Sequence, residues 1–134
     1  TTIMIDLTGL KDGGTAGDII GKDGSGVAFI GKVTTANQGT VFGVTMTCVE
    51  TPAGGSTDID LFSATEGTGV NDTAIGDLTE TQIINAGAAS AGTVVAGGDI
   101  AADQFLYLVS QGTGDATYTA GRFLIEITGF DAAS

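Results

Sequence analysis

The sequence predicts an all-β protein: an antiparallel β-sandwich of about eight strands, a count that favours a jelly roll. Three observations carry this expectation. Apolar residues alternate with a period of two in several segments, which places successive side chains on opposite faces of a half-buried strand. Asp-Gly and Gly-Gly clusters separate those segments and supply the positive φ angles of tight turns. Glycine is abundant, at 23 residues, without any collagen-like period, and proline occurs once.

In chain order, Ile3, Ile5 and Leu7 alternate against Thr2, Met4, Asp6 and Thr8. A short strand is expected over 18–21 and a longer one over 27–33. The clearest alternation runs over 40–50, where Phe42, Val44, Met46 and Cys48 are expected on one face and Gly43, Thr45 and Thr47 on the other. Strands over 58–63 and 93–96 follow. The run Phe105-Leu106-Tyr107-Leu108-Val109, within a strand over 104–110, is apolar at consecutive positions and should therefore be covered on both faces as a central strand. Phe123, Ile125 and Ile127 alternate with Arg122, Leu124, Glu126 and Thr128, so both ends of the chain are expected in sheets.

The separators are Lys11-Asp12-Gly13-Gly14, Lys22-Asp23-Gly24-Ser25-Gly26, Thr51-Pro52-Ala53-Gly54-Gly55, Gly97-Gly98-Asp99 and Gly112-Thr113-Gly114-Asp115. Pro52 is expected in such a loop, where no strand lacks a donor. Residues 71–89 depart from the pattern: Ile75, Leu78, Ile83 and Ile84 are loosely spaced behind Thr79 and Glu80, which suggests a helical turn or a long ordered connection. Ala16-Gly17-Asp18-Ile19-Ile20-Gly21 echoes Ala91-Gly92-Thr93-Val94-Val95-Ala96, an echo that shared turn grammar explains without duplication.

A chain of 134 residues with no linker-like stretch reads as one domain, 1–134. Apolar residues make up 42% and the mean hydropathy is +0.32, enough for a core without metal or disulfide staples. Charged residues are 15%, against about 25% in ordinary domains. Sixteen acidic residues face only Lys11, Lys22, Lys32 and Arg122, for a net charge of −12. That charge argues against nucleic-acid partners and anionic membrane surfaces, because both recruit lysine and arginine. No apolar run approaches the roughly 20 residues of a spanning helix, and the start, Thr1-Thr2-Ile3-Met4, lacks the pattern of a secretory signal.

Chemistry is sparsely provided. There is no histidine, so the usual acid–base and imidazole-ligand roles are missing, and Ser-His-Asp or Cys-His arrangements cannot be assembled. The single cysteine, Cys48, cannot form an internal disulfide, and its apolar setting suits a small core residue. Lys22-Asp23-Gly24-Ser25-Gly26 lacks the spacing of a phosphate-binding loop and reads as a turn. These features point away from catalysis.

Carboxylates remain. Asp58 and Asp60 sit two apart on one strand, where paired acids could serve a glycosidase, although the chain has no tryptophan platform for sugar. They are expected on the solvent face opposite Ile59 and Leu61. Calcium is the better use of these acids: Asp58, Asp60, Glu66 and Asp72 are the candidate ligands, with the loop Glu66-Gly67-Thr68-Gly69-Val70-Asn71-Asp72 rich in oxygen donors but without EF-hand spacing. Calcium is the one cofactor the sequence suggests. Most phenylalanines are expected to face the core, and Tyr107 and Tyr118 to lie at a sheet edge or interface.

Three stretches carry a family resemblance: Asp60-Leu61-Phe62-Ser63-Ala64-Thr65-Glu66-Gly67-Thr68-Gly69-Val70, Gln104-Phe105-Leu106-Tyr107-Leu108-Val109 and Tyr118-Thr119-Ala120-Gly121-Arg122-Phe123-Leu124-Ile125-Glu126-Ile127. They resemble small virion structural proteins of marine tailed phages that decorate or cement the capsid. The resemblance implies a non-enzymatic β-sandwich on the outer capsid surface, associating with itself or with the major capsid protein, and it transfers no functional residue. Two other readings stay open. One is an extracellular filament subunit that assembles by strand pairing through residues 2–8; the other is a glycan- or calcium-binding module.

Overall fold

The computed structural model describes residues 1–131, so the last three residues of the 1–134 domain lie outside the described residues. Nine strands are present among the described residues: β1 (Thr2–Asp6), β2 (Asp18–Ile19), β3 (Gly31–Val33), β4 (Thr40–Ala53), β5 (Ile59–Ala64), β6 (Glu80–Ile84), β7 (Val94–Gly97), β8 (Gln104–Ser110) and β9 (Ala120–Phe130). A one-turn helix, α1 (Thr35–Gln38), and a 3₁₀ turn, Ile75–Asp77, complete the regular structure. All strand pairs are antiparallel.

One sheet has the order β1-β9-β4-β7; the other has the order β2-β8-β5-β6, with β3 beside β2 along the same edge of β8. Their inner faces meet in one core. The first sheet supplies Val44, Met46, Cys48, Phe123, Ile125 and Ile127, and the second supplies Ile59, Leu61, Ile84, Leu106 and Leu108. This is the antiparallel sandwich the sequence predicts, with nine strands in place of about eight. With β2 and β3 taken together as one interrupted strand, this strand order is compatible with the jelly-roll expectation.

The consecutive apolar run of β8 has the expected consequence. Leu106 and Leu108 face the inter-sheet core, while Tyr107 and Val109 point the other way into a second cluster with Ile19, Phe62, Ala64 and Ile75. Residues 66–79 form the cover on that side. Their glycines permit close approach: a Cβ on Gly67 would lie 2.6 Å from the Phe105 ring, and one on Gly69 would lie 2.7 Å from Ile19 and 2.8 Å from the Tyr107 ring. Tyr107 also fastens the cover. Its hydroxyl accepts from Gly69 N at 3.1 Å and donates to Glu66 O at 2.9 Å.

Several local expectations are corrected. A bulge between Val41 and Gly43, against Gly129 and Thr128 of β9, inserts one residue and inverts the alternation. Val41 therefore points inward, and Phe42 lies outside, 59% exposed, against Phe130 at 6.0 Å between ring centroids. Phe29 and Phe130 are exposed as well, so only half of the six phenylalanines escape the surface. Pro52 belongs to β4 rather than to a loop, but it falls where the register shifts between Glu50 and Ala53, a position that tolerates a missing donor. Residues 71–89 hold the 3₁₀ turn and also β6, an edge strand with polar, exposed Glu80, Thr81 and Gln82 that gives no period-two signal. Of residues 27–33 only the last three are strand, although Ala28 N and Ile30 N donate to Gly69 O and Leu106 O.

Removing the Tyr107 hydroxyl tests how the cover is held. Tyr107→Phe keeps the ring but leaves Gly69 N and Glu66 O without this partner, so it should lower stability by about 1–3 kcal/mol. An unchanged midpoint in chemical denaturation would show that the cover does not depend on this hydroxyl.

Candidate functional site

Acidic side chains are the richest source of site candidates in this sequence, and the fold disperses them. Asp60, expected on the solvent face, is buried at 1% exposure. Both faces of β5 are covered, so alternation along it does not separate core from solvent. Gln82 Nε2 at 3.1 Å and Gln111 Nε2 at 2.9 Å donate to Asp60 Oδ2, and Ala86 N donates to its Oδ1 at 3.0 Å. This carboxylate joins β5 to β6, to the chain following β6 and to the residue after β8.

Asp58 lies at the head of the same strand. Its backbone N donates to Ser56 Oγ at 3.2 Å, and its side-chain Oδ1 is shielded from solvent without a hydrogen-bond partner among the described residues. Burial, reinforced by the charge of Asp60, pushes its carboxyl above the usual aspartate range. Glu66 lies elsewhere, with both carboxylate oxygens accepting from Thr79 N at 2.6 and 2.9 Å. Asp72, at a positive φ of 63°, accepts from Gly14 N at 2.8 Å.

Asp72 is also set beside Asp18, whose Oδ2 accepts from Thr15 N at 3.0 Å and whose carboxyl is pushed up, first by burial and then by Asp72. The four calcium candidates therefore occupy three separate places. Among the described residues no three acidic or cysteine side chains come together to hold a metal ion. The 66–72 loop turns its polar groups inward: Asn71 Nδ2 donates to Lys11 O and Ile19 O, both at 3.0 Å.

Asp12, not singled out by its sequence context, has the same kind of role. It is buried, and its two oxygens accept from Ala116 N and Ser56 N, each at 2.7 Å. It thereby ties the chain after β4 to the chain after β8. An open depression of about 500 Å³ between these loops is lined by Asp12, Ser56, Thr57, Thr113 and Ala116 among others, with no aromatic side chain. Tyr118 lies beneath: it is buried rather than at an edge, and its hydroxyl donates to Ser56 O at 2.6 Å. Burial, then the charge of Asp12, raises its pKa. Tyr107 is likewise buried.

The remaining reactive groups are occupied. Cys48 is buried in the inter-sheet core, its Sγ donates to Glu50 O at 3.3 Å, and burial pushes the thiol up, away from the nucleophilic thiolate. Lys11 Nζ lies between Asp115 at 3.6 Å and Asp23 at 3.5 Å.

What stands out instead is a surface. The five-stranded sheet is covered on both sides, whereas the outer face of the four-stranded sheet carries no layer. The register aligns Met4 with Leu124, Leu124 with Thr47 and Thr47 with Val94 in a single row across all four strands. Met4 is 53% and Val94 61% exposed, and Val49 is exposed beside them at a second register shift of β4. An apolar row at the centre of an uncovered sheet is the kind of patch that marks an interaction site. Neighbour patterns in the sequence give no sign of it, because the same alternation describes a solvated face.

Comparison with family models, with curated proteins and with solved structures finds no match. No helix among the described residues is long and apolar enough to cross a membrane.

The isolated Asp58 oxygen makes a pH-dependent prediction. With its folded pKa raised, Asp58 destabilises the fold once the pH exceeds the ordinary aspartate value of about 3.9, because the unfolded chain loses its proton first. Asp58→Asn should therefore raise stability at pH 7 by about 1 kcal/mol. The difference should disappear below about pH 4. A variant less stable than the parent at pH 7 would contradict this account.

Proposed function

We propose that this chain is a non-enzymatic virion structural protein, a capsid decoration or cement protein that stabilises an assembled shell from its outer surface. One observation carries the reading: a sandwich closed on one side presents, on the other, an uncovered sheet face with an apolar, charge-poor centre. Such a protein acts by mass action. Binding the assembled state and not the dissociated one shifts the equilibrium by RT ln(1 + [L]/Kd), which reaches about 2.7 kcal/mol at a hundredfold excess over Kd.

The supporting features agree with one another. A net charge of −12 suits a protein kept away from packaged nucleic acid. Buried carboxylates that accept hydrogen bonds from neighbouring segments, as Asp12 and Asp60 do, stiffen the loops without a cofactor. A stiff module loses less conformational entropy on docking, which favours attachment. The partners in this reading are further copies of the chain and the major capsid protein. A filament built by donating the first strand to a neighbour is less well supported, because β1 is paired to β9 from Thr2 to Asp6 within the chain.

Mass spectrometry of purified virions should find this chain at a copy number on the scale of the major capsid protein, and imaging of those particles should place it outside the shell. Shells stripped of it should disrupt at lower temperature and recover when it is added back. Particles that lack the chain would refute the proposal.

A further inference from the structure

The uncovered face has an internal symmetry that selects its occupant. Arg122 and Glu126 of β9 lie two residues to either side of Leu124, on the same outward face, at about 7 Å from the Met4–Leu124–Thr47–Val94 row. We infer that a second copy of this chain docks here, face to face, about a two-fold axis that runs along that row. Such an axis places the row against itself and reverses the strand direction. It thereby brings Arg122 of each copy over the second copy's Glu126, giving two identical ion pairs from one operation.

Charge explains why two strongly acidic chains would meet at this face. Of the sixteen acidic residues, the four strands of this sheet carry only Asp6, Glu50 and Glu126. Two of these are engaged within the chain: Asp6 with Arg122 at 3.8 Å, and Glu50 with Gly121 N at 2.8 Å. Glu126 is flanked in its row by Thr2 and Thr45, so the sheet offers it no cation. The dimer supplies one. Outside these strands thirteen acidic residues face only three lysines, so close approach of two copies there is opposed by net negative charge.

Size is at the lower end of a specific contact. Four strands about 4.8 Å apart, of five, eleven, fourteen and four residues at about 3.3 Å each, make a plane on the order of 500 Å². Two such faces together reach roughly the 1,000 Å² that a specific interface needs. Met4, Leu124 and Val94 would form its dry centre, with the two ion pairs flanking it.

The symmetry can be tested by exchanging charges. The full-length protein should sediment as a dimer at micromolar concentrations. Arg122→Glu sets a new carboxylate against the second copy's Glu126, and Glu126→Arg sets a new guanidinium against its Arg122. Each variant alone should therefore weaken self-association by at least about tenfold. Mixed in equal amounts, the two variants should form a heterodimer, because both contacts then pair opposite charges. Circular dichroism of the separate variants should match the parent, since both positions are exposed.

A parent that stays monomeric at several hundred micromolar overturns the inference. So do variants that dimerise as tightly as the parent, or a mixture that remains monomeric. The outcome is separable from the capsid proposal. Dimers that ignore the shell count against the capsid reading alone, and monomers that decorate it count against this inference alone.

Discussion

Enclosure of β8 on both faces is the constraint around which the rest of the molecule is arranged. A strand with apolar side chains on both sides needs two layers of cover. One is the four-stranded sheet, through Val44, Met46, Phe123 and Ile125. The other is the 66–79 connection, which lacks enough regular structure to satisfy its own backbone and borrows partners instead. The Tyr107 hydroxyl takes Gly69 N and the Glu66 carboxylate takes Thr79 N, while the Asn71 amide anchors the connection by donating to Lys11 O and Ile19 O. Glycine at 67 and 69 then sets how closely that cover can lie on the rings.

The acidic composition takes on a different meaning in this setting. Several carboxylates are internal acceptors for backbone N–H groups in turns, where no strand partner exists. Asp12 receives two such bonds, Asp60 receives one with two side-chain amides, and Glu66 and Asp72 each hold a single N–H. A charged acceptor makes a stronger hydrogen bond than a neutral one, so short glycine-rich loops can be fixed without a metal ion. Clustering acids to hold calcium and dispersing them to hold loops are competing uses of the same residues. The geometry here is of the second kind.

The boundaries of legibility follow from the same physics. Period two in Phe123, Ile125 and Ile127 and the unbroken run of β8 suffice to identify strands and even to predict that β8 is covered twice. Alternation reports which face a residue shares with its neighbours, not whether that face is covered. It therefore assigns Asp60 to solvent, although the residue lies beneath Gln82 and Gln111, which come later in the chain. A bulge leaves no mark in composition, so alternation puts Phe42 on the opposite face from its true one. Edge strand β6 escapes the pattern because an edge has little apolar burial to advertise. The row across the uncovered sheet is invisible for a further reason: Met4, Thr47, Val94 and Leu124 become neighbours only through the register of four distant strands.

That register also reconciles two properties that otherwise conflict. A chain at net charge −12 should resist crowding, while an uncovered apolar row invites contact. The conflict eases because charge and apolar surface occupy different parts of the molecule. At physiological ionic strength the screening length is about 8 Å, so carboxylates more than that distance from an interface oppose it weakly. Thirteen of the sixteen acidic residues lie outside the strands of the four-stranded sheet, and the sheet's one arginine already offsets Asp6. Repulsion then limits the ways two copies can meet rather than preventing them from meeting. An acidic surface with one weakly charged sheet face selects an orientation, and selecting an orientation is what an ordered assembly requires of its subunits.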